Sequence, residues 1–408
     1  MGFTIKLAWR NIFRNKRRTF IAGLAIGVGL ATLIFTDALI LGMKANMIHS
    51  ATAAYSGEGQ IHRQGFRLTQ DVEKTINSPA EVIAALEKEK EVEAFTRRTV
   101  SFGMITSPAN VSSVLFVGLD PESEKPLSHI DDNIQTGDFF SGPEARDIVI
   151  GSELADLLEV SLGDRVVVTV SQAGSGSLAQ DMFRVSGIYH FNIKEMDGGF
   201  AFVRLEKAQE MLGIGTAVHE IAIKFRSLEY AAEGNTSFWE KYSVNGNEAV
   251  SWMVLLPQLK AVLNMVWISL IFMAVLLFGI VAFGIINTLF MSLYERMFEF
   301  GVIRAVGTRP GGVRRLVVFE AGALAVLSIV MGTILGLIIT LVVMKTGIDY
   351  RGIEFAGTTF YEMLYPELHL QQFLIYPAAV FLFTLLVGLY PAGVAARMSI
   401  SDALRKSL

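Results

Sequence analysis

The 408-residue sequence contains no cysteine, which excludes disulfides and any cysteine-ligated metal. It also lacks Gly-x-x-x-x-Gly-Lys-Ser/Thr, the loop whose backbone amides cradle nucleotide phosphates, so any ATP serving this chain is handled by a separate subunit. Histidine is sparse: His49, His62, His129, His190, His219 and His369 stand at no metal-ligand spacing. His219-Glu220 lacks the second histidine of a zinc-protease helix and reads instead as the start of a strand. Gly174-Ser175-Gly176-Ser177 falls at a hairpin tip and does not make a nucleophile elbow. No acid occurs in residues 1–18, and no basic run occurs in residues 44–260, where 19 Lys+Arg face 30 Asp+Glu. That balance argues against a nucleic-acid partner. The absences together point away from an enzyme and away from a resident cofactor.

What the chain has in excess is apolar residues, 52% of the total. They concentrate at 19–43, 261–294, 313–344 and 371–396, each longer than the roughly 20 residues that cross a bilayer. The fold class follows as a membrane protein of four transmembrane α-helices, with a large α+β domain at 44–260 inserted between helices 1 and 2. Lys6, Arg10, Arg14, Lys16, Arg17 and Arg18 lie before the first span, five arginines lie in 295–315, and Arg397, Arg405 and Lys406 lie at the end. The positive-inside rule puts these three regions in the cytoplasm and the 44–260 domain outside, periplasmic if the membrane is a bacterial inner membrane. The remaining connections are an outer loop at 345–370 and a cytoplasmic tail at 397–408.

Residues 4–14 place Ile5, Ala8, Trp9, Ile12 and Phe13 on one helical face and Lys6, Arg10 and Arg14 around the other, so 1–18 reads as a basic amphipathic helix on the inner membrane surface. The first span is long enough to remain as an uncleaved anchor. Gly23 and Gly27 in that span, and Gly332 and Gly336 in the third, form small-xxx-small pairs that let a neighbouring helix come close. Asp37 reads as an interface carboxylate within reach of water. The second span's helical pattern begins near Leu255 and ends near Tyr294, roughly 60 Å of helix against about 30 Å of hydrocarbon, so part of it stands outside as a stalk. In the fourth span, Pro377 and Pro391 are each expected to kink or end the helix.

Between the spans, strands are expected at 97–105, 114–119, 148–150, 165–170, 183–189, 200–203 and 220–225, from β-branched and aromatic runs bounded by Gly, Asp and Ser. Ser78-Pro79-Ala80-Glu81 reads as a capped helix start running to about Lys90, and shorter helices fit 152–158 and 205–212. Segment 171–177 is a hairpin tip.

The turn at 295–312 is itself helical in spacing. Phe298, Val302, Ile303 and Val306 recur at steps of three and four, with Glu295, Glu299 and Arg304 off that stripe, and Gly307 and Pro310 end it. Two readings stay open: a helix gripped by another protein, or one lying on lipid headgroups. Glu320, one turn inside the third span, is expected to snorkel or to pair with Arg314 or Arg315.

These features carry a family likeness. The basic Trp9-Arg10-Asn11-Ile12-Phe13-Arg14-Asn15-Lys16-Arg17-Arg18, the one-plus-three span plan and the turn Arg304-Ala305-Val306-Gly307-Thr308 resemble the MacB/FtsX-type ABC transporter permeases. Asp147-Ile148-Val149-Ile150-Gly151, Leu154-Ala155, Val160-Ser161-Leu162-Gly163-Asp164, Phe183-Arg184-Val185-Ser186-Gly187-Ile188 and Ala201-Phe202-Val203-Arg204-Leu205 resemble that family's periplasmic core domain. The length, with no fused ATPase domain, is similar to the lipoprotein-releasing LolC/LolE subunits. The resemblance implies a dimer of permease subunits, homo- or heteromeric, and a cytoplasmic ATPase dimer gripping the coupling helix through Glu295, Phe298, Glu299, Val302, Ile303, Arg304 and Gly307. It also implies a lipid or lipoprotein cargo, a periplasmic adaptor or chaperone, and work by mechanotransmission. The alternative within the family is an FtsX-like scaffold that regulates an extracytoplasmic enzyme without transport.

Overall fold

The computed structural model describes residues 8–11, 13–140, 146–231, 236–351, 354–355, 358–359 and 363–399. The start of the expected amphipathic helix, including Ile5, Lys6 and Ile12, and the tail from residue 400 lie outside these. In chain order the main elements begin with α1 (Lys16–Ala51), β1 (Gly59–Arg63), α2 (Pro79–Leu86), β2 (Val92–Thr106), β3 (Val111–Leu119), β4 (Ile134–Gly137) and β5 (Asp147–Gly151). They continue with α3 (Ser152–Leu158), β6 (Arg165–Ser171), β7 (Leu178–Tyr189), β8 (Phe200–Arg204), α4 (Leu205–Leu212), β9 (Glu220–Phe225) and β10 (Asn247–Ser251). Last come α5 (Pro257–Glu295), α6 (Met297–Ala305), α7 (Pro310–Thr346) and α8 (Gln372–Arg397). Helices α1, α5, α7 and α8 are long and apolar enough to cross a membrane. The chain divides into two units, one of Met1–Lys44, Leu263–Asp349 and Met363–Leu408, the other of Ala45–Val262 and Tyr350–Glu362.

In the helical unit, Ile26, Leu30 and Ile34 of α1 pack with Val281, Ile285 and Leu289 of α5, Ala321 and Leu324 of α7 and Val380 of α8. Helices α1 and α7 cross where neither has a side chain. A Cβ on Gly332 would stand 2.5 Å from the Gly27 carbonyl oxygen, and one on Gly336 would stand 3.1 Å from the Ala31 Cα. Gly23 has only ordinary contacts, the nearest at 3.6 Å. Toward the other end of α1, Asp37, expected within reach of water, is half-buried and also accepts a 2.9 Å hydrogen bond from the buried Gln372 amide. Helix α8 runs through both Pro377 and Pro391, so of the two outcomes expected of them, a kink or an end, neither proline ends it. A proline inside a helix removes one amide bond, and packing of an apolar helix against its neighbours outweighs that loss.

The second unit is built on a ten-stranded sheet in the order β10-β1-β9-β2-β3-β8-β5-β7-β4, with β6 pairing both β2 and β7. That double pairing closes β2-β3-β8-β5-β7-β6 into a ring. Alternation makes the ring's interior: Val166, Val168 and Val170 of β6 are buried while their neighbours are not. They meet Phe116, Ile148, Ile150, Phe183, Val185 and Val203 in one core, which α3 and α4 extend with Leu154, Leu158, Met211 and Leu212. Helix α2 departs from expectation in two ways. It ends at Leu86, and Ser78 makes no side-chain cap because its backbone is left-handed, φ 49°, whereas a capping serine needs an extended backbone.

Where the strands leave the ring, Arg98 of β2 is fully buried. Its Nε and Nη2 donate to the two oxygens of Glu124 at 3.0 and 2.6 Å, and Nη1 donates to Glu220 at 2.8 Å. The guanidinium also lies 4.2 Å from the Tyr55 ring centre. Burial opposes the arginine's charge, but Glu124, Tyr55 and Glu220 outweigh it and hold its pKa above the ordinary value. Burial likewise pushes Glu220 up, against the pull of Arg98.

Two buried histidines set an acid sensitivity. His62 on β1 has its Nε2 3.1 Å from Gln60 Oε1, and burial, with Arg67 adding, lowers its pKa to about 3. His219 accepts the Val100 amide at Nδ1 and donates from Nε2 to the Val72 carbonyl, and burial lowers its pKa too. For His62 the unfolded chain binds a proton below its ordinary pKa of 6.5 while the folded chain does not until about 3. Its contribution to stability is therefore present above 6.5 and lost as pH falls toward 3, at about 1.4 kcal/mol per pH unit. The chain with His62→Gln is expected to lose less stability than the parent between pH 6.5 and 4. Hydrogen exchange of the β1 amides in the full chain measures it, and equal acid sensitivity would refute the assignment.

Candidate functional site

Helix α6 joins two spans through tight turns. Arg296 bonds its amide to the Leu293 carbonyl. At the other end Thr308 N bonds to the Ile303 carbonyl at 3.1 Å around Gly307, whose φ of 105° suits glycine. The helix ends at Ala305, ahead of Gly307 and Pro310 as expected, and Pro310 opens the first turn of α7. That position suits proline, because an amide there has no intrahelical partner. One face of α6 is anchored: Phe300 joins Ala8, Leu293, Val313, Leu316, Val317, Ala392 and Ala395 in a core. The opposite face is open, with Phe298 49%, Val302 40% and Val306 85% exposed. Ile303, on the same sequence stripe, is only half-buried.

The charged residues of the turn, expected to take part in gripping by the ATPase, each have a partner within the chain. Glu295 accepts from Arg18 at 2.6 Å, and Glu299 accepts from Arg14 at 2.5 Å and from Arg296 Nε at 2.9 Å. Arg304 donates to the Met398 carbonyl. Glu320 pairs with neither Arg314 nor Arg315. It accepts from Arg296 at 2.5 Å and from Asn11 at 2.8 Å, because both donors reach it at the buried root of α7 while the two arginines lie on the exposed side. Burial opposes the charge of Glu299, but Arg14 and Arg296 outweigh it and hold the carboxyl below its usual range. Burial also opposes the Arg296 charge, and Glu320 and Glu299 raise its pKa. Three arginines thus meet three carboxylates, and the cluster closes neutral. Sequence reasoning missed it because Arg18 and Glu295 are 277 residues apart; the available signal was a base-only N-terminus facing a turn that carries acids.

Other chemistry has less support. Ser152, His190 and Asp197 meet in the sheet unit, with Ser152 Oγ 2.8 Å and Asp197 Oδ2 3.1 Å from the histidine. Both approach Nδ1, so the nitrogen that would take a proton from serine is the one the acid occupies, and the three do not form a nucleophile, base and acid relay. Among the described residues, no three His, Asp or Glu side chains converge as a metal site.

Comparison with known proteins places these features. Residues 19–235 match the family described as MacB-like periplasmic core domain, and residues 271–400 match FtsX-like permease C-terminal. The chain is similar to the lipoprotein-releasing system transmembrane protein LolC of Xylella fastidiosa, 24% identical over 305 residues, covering 71% of this chain and 72% of that one. It is similar along nearly its whole length to the lipoprotein-releasing system transmembrane protein LolE of Haemophilus influenzae, 21% identical with 98% of each covered. Among solved structures, the periplasmic region of MacB from Actinobacillus actinomycetemcomitans aligns with a TM-score of 0.34 at 12% identity, over 50% of this chain and 92% of that one.

Proposed function

Since the chain belongs to the MacB/FtsX-type ABC transporter permease family, we propose that it is a permease subunit whose α6 receives a separate ATPase dimer on the cytoplasmic side. The observation that carries this is the open apolar face of Phe298, Val302 and Val306 on a helix whose own charges are already paired. A helix resting on headgroups would keep basic side chains for lipid phosphates. Here Arg296 and Arg304 are turned inward to protein acceptors. The base-rich N-terminus supports the same orientation.

The rest of the proposal concerns what the ATPase drives. Helix α5 has 39 residues, roughly 60 Å of rise against about 30 Å of hydrocarbon, so a displacement at its α6 end has a stiff path out of the membrane. We assign the work to mechanotransmission through that stalk, in a dimer with a second permease subunit, and the periplasm to the sheet unit. The cargo class is lipid-anchored or amphipathic, an assignment that rests on the similarity to the lipoprotein-releasing LolC and LolE proteins.

The test uses Val302→Asp with a co-expressed ATPase. Burying a valine against a partner is worth about 1.5 kcal/mol or more, so pull-down affinity and stimulated ATP hydrolysis in nanodiscs are expected to fall about tenfold, with membrane insertion unchanged. Full binding and stimulation by this variant would remove the coupling role of α6.

A further inference from the structure

We propose that residues 8–11 and 13–18 form a positioning strap that sets the placement of α6 and ties it to the first turn of α1. The inference rests on the reading of α6 as the ATPase contact and adds to it a route into the first span. The strap is held in two ways. Ala8, 1% exposed, lies in the same apolar core as Phe300 of α6. Polar contacts then follow along the strap: Asn11 to Glu320, Arg14 to Glu299 and Arg18 to Glu295.

The consequence lies in what each contact joins. Arg296 and Glu320 link α6 to α7, and α5 runs directly into Arg296, so two spans meet α6 through short connections. The first span has no such connection, because the whole sheet unit intervenes in the chain between α1 and α5. Arg18 is the third residue of α1, and its pair with Glu295, the last residue of α5, ties the first span to the chain where it turns through Arg296 into α6, while Arg14 reaches Glu299 of α6 itself. Glu299, the one carboxylate of α6, is likewise taken up by Arg14 and Arg296. The partner is therefore met by apolar side chains, and Glu299 of α6, with Glu295 at the end of α5 and Glu320 in α7, serves as the anchor for the strap.

The experiment is a charge swap in the full-length chain, comparing Arg18→Glu, Glu295→Arg and the double variant. Two readouts are taken: hydrogen exchange of amides 297–305 without ATPase, and ATP hydrolysis by the co-reconstituted ATPase. Each single variant exchanges a part-exposed ion pair for a like-charge contact, so stimulation is expected to fall about fivefold. Exchange across α6 is expected to rise as the helix loosens. The double variant is expected to restore both, while Arg18→Gln gives a smaller change of the same sign without repulsion. Singles that leave α6 exchange unchanged, or a double variant no better than the singles, would overturn the strap. Failure of the ATPase reading is distinguishable: Val302→Asp would then stimulate fully, and the exchange readout, which needs no ATPase, would still decide the strap.

Discussion

Replacing Arg98 by methionine is expected to destabilise the sheet unit by about 3–5 kcal/mol, because it strands two carboxylates that share one buried cation. Glu124 and Glu220 are 1% and 8% exposed in their side chains, so water does not reach them to replace the lost donors. A loss of that size is a large part of the roughly 5–15 kcal/mol that holds a typical domain folded. The readout is the urea midpoint of the full chain in detergent, followed by fluorescence of Trp239 and Trp252, both buried in this unit. Combining Arg98→Met with Glu124→Leu and Glu220→Leu is expected to regain most of the loss, because no charge is then left behind. An unchanged midpoint for the single variant would refute the account.

The second large effect belongs to the helical unit. In Gly332→Leu the new Cβ would stand 2.5 Å from the Gly27 oxygen and 2.9 Å from its Cα. Both are backbone atoms that cannot rotate away. The helices would have to part along the crossing, and overpacking of this kind costs about 3 kcal/mol or more. Gly284→Leu is the matched control, since nothing lies within 4 Å of that position. Thermal unfolding in detergent is expected to separate the two variants clearly. Equal stability would mean that α1 and α7 do not cross on these glycines.

Much of this architecture was legible in local sequence. The seven expected strands are all present, several extended by a few residues, because each carries a β-branched or aromatic run that pays for its own pairing. Within the ten-stranded sheet the strands missed are β1, β4 and β10. Gly59-Gln60-Ile61-His62-Arg63 and Asn247-Glu248-Ala249-Val250-Ser251 show little local preference, and they are strands because they pair with each other and, for β1, with β9. At the site the pattern located Phe298, Val302 and Val306 on one face. It did not reveal that Glu295 and Glu299 are spoken for, since periodicity reports the face a residue occupies and says nothing of a partner nearly 300 positions away.

The pairing of β1 with β10 has a mechanical consequence. Strand β1 is the first strand after α1, and β10 is the last before α5; their five residue pairs start with Gly59 opposite Ser251, at the end where both segments leave the sheet. One more bond, from the Trp252 amide to the Glu58 carbonyl, closes that end. Tension that spreads the two segments falls on this bond first and then on each pair in turn, so the seam opens like a zip at low force. Tension that slides one segment along the other strains all five pairs together and meets far greater resistance. The seam is thus a direction filter, compliant to spreading and stiff to sliding.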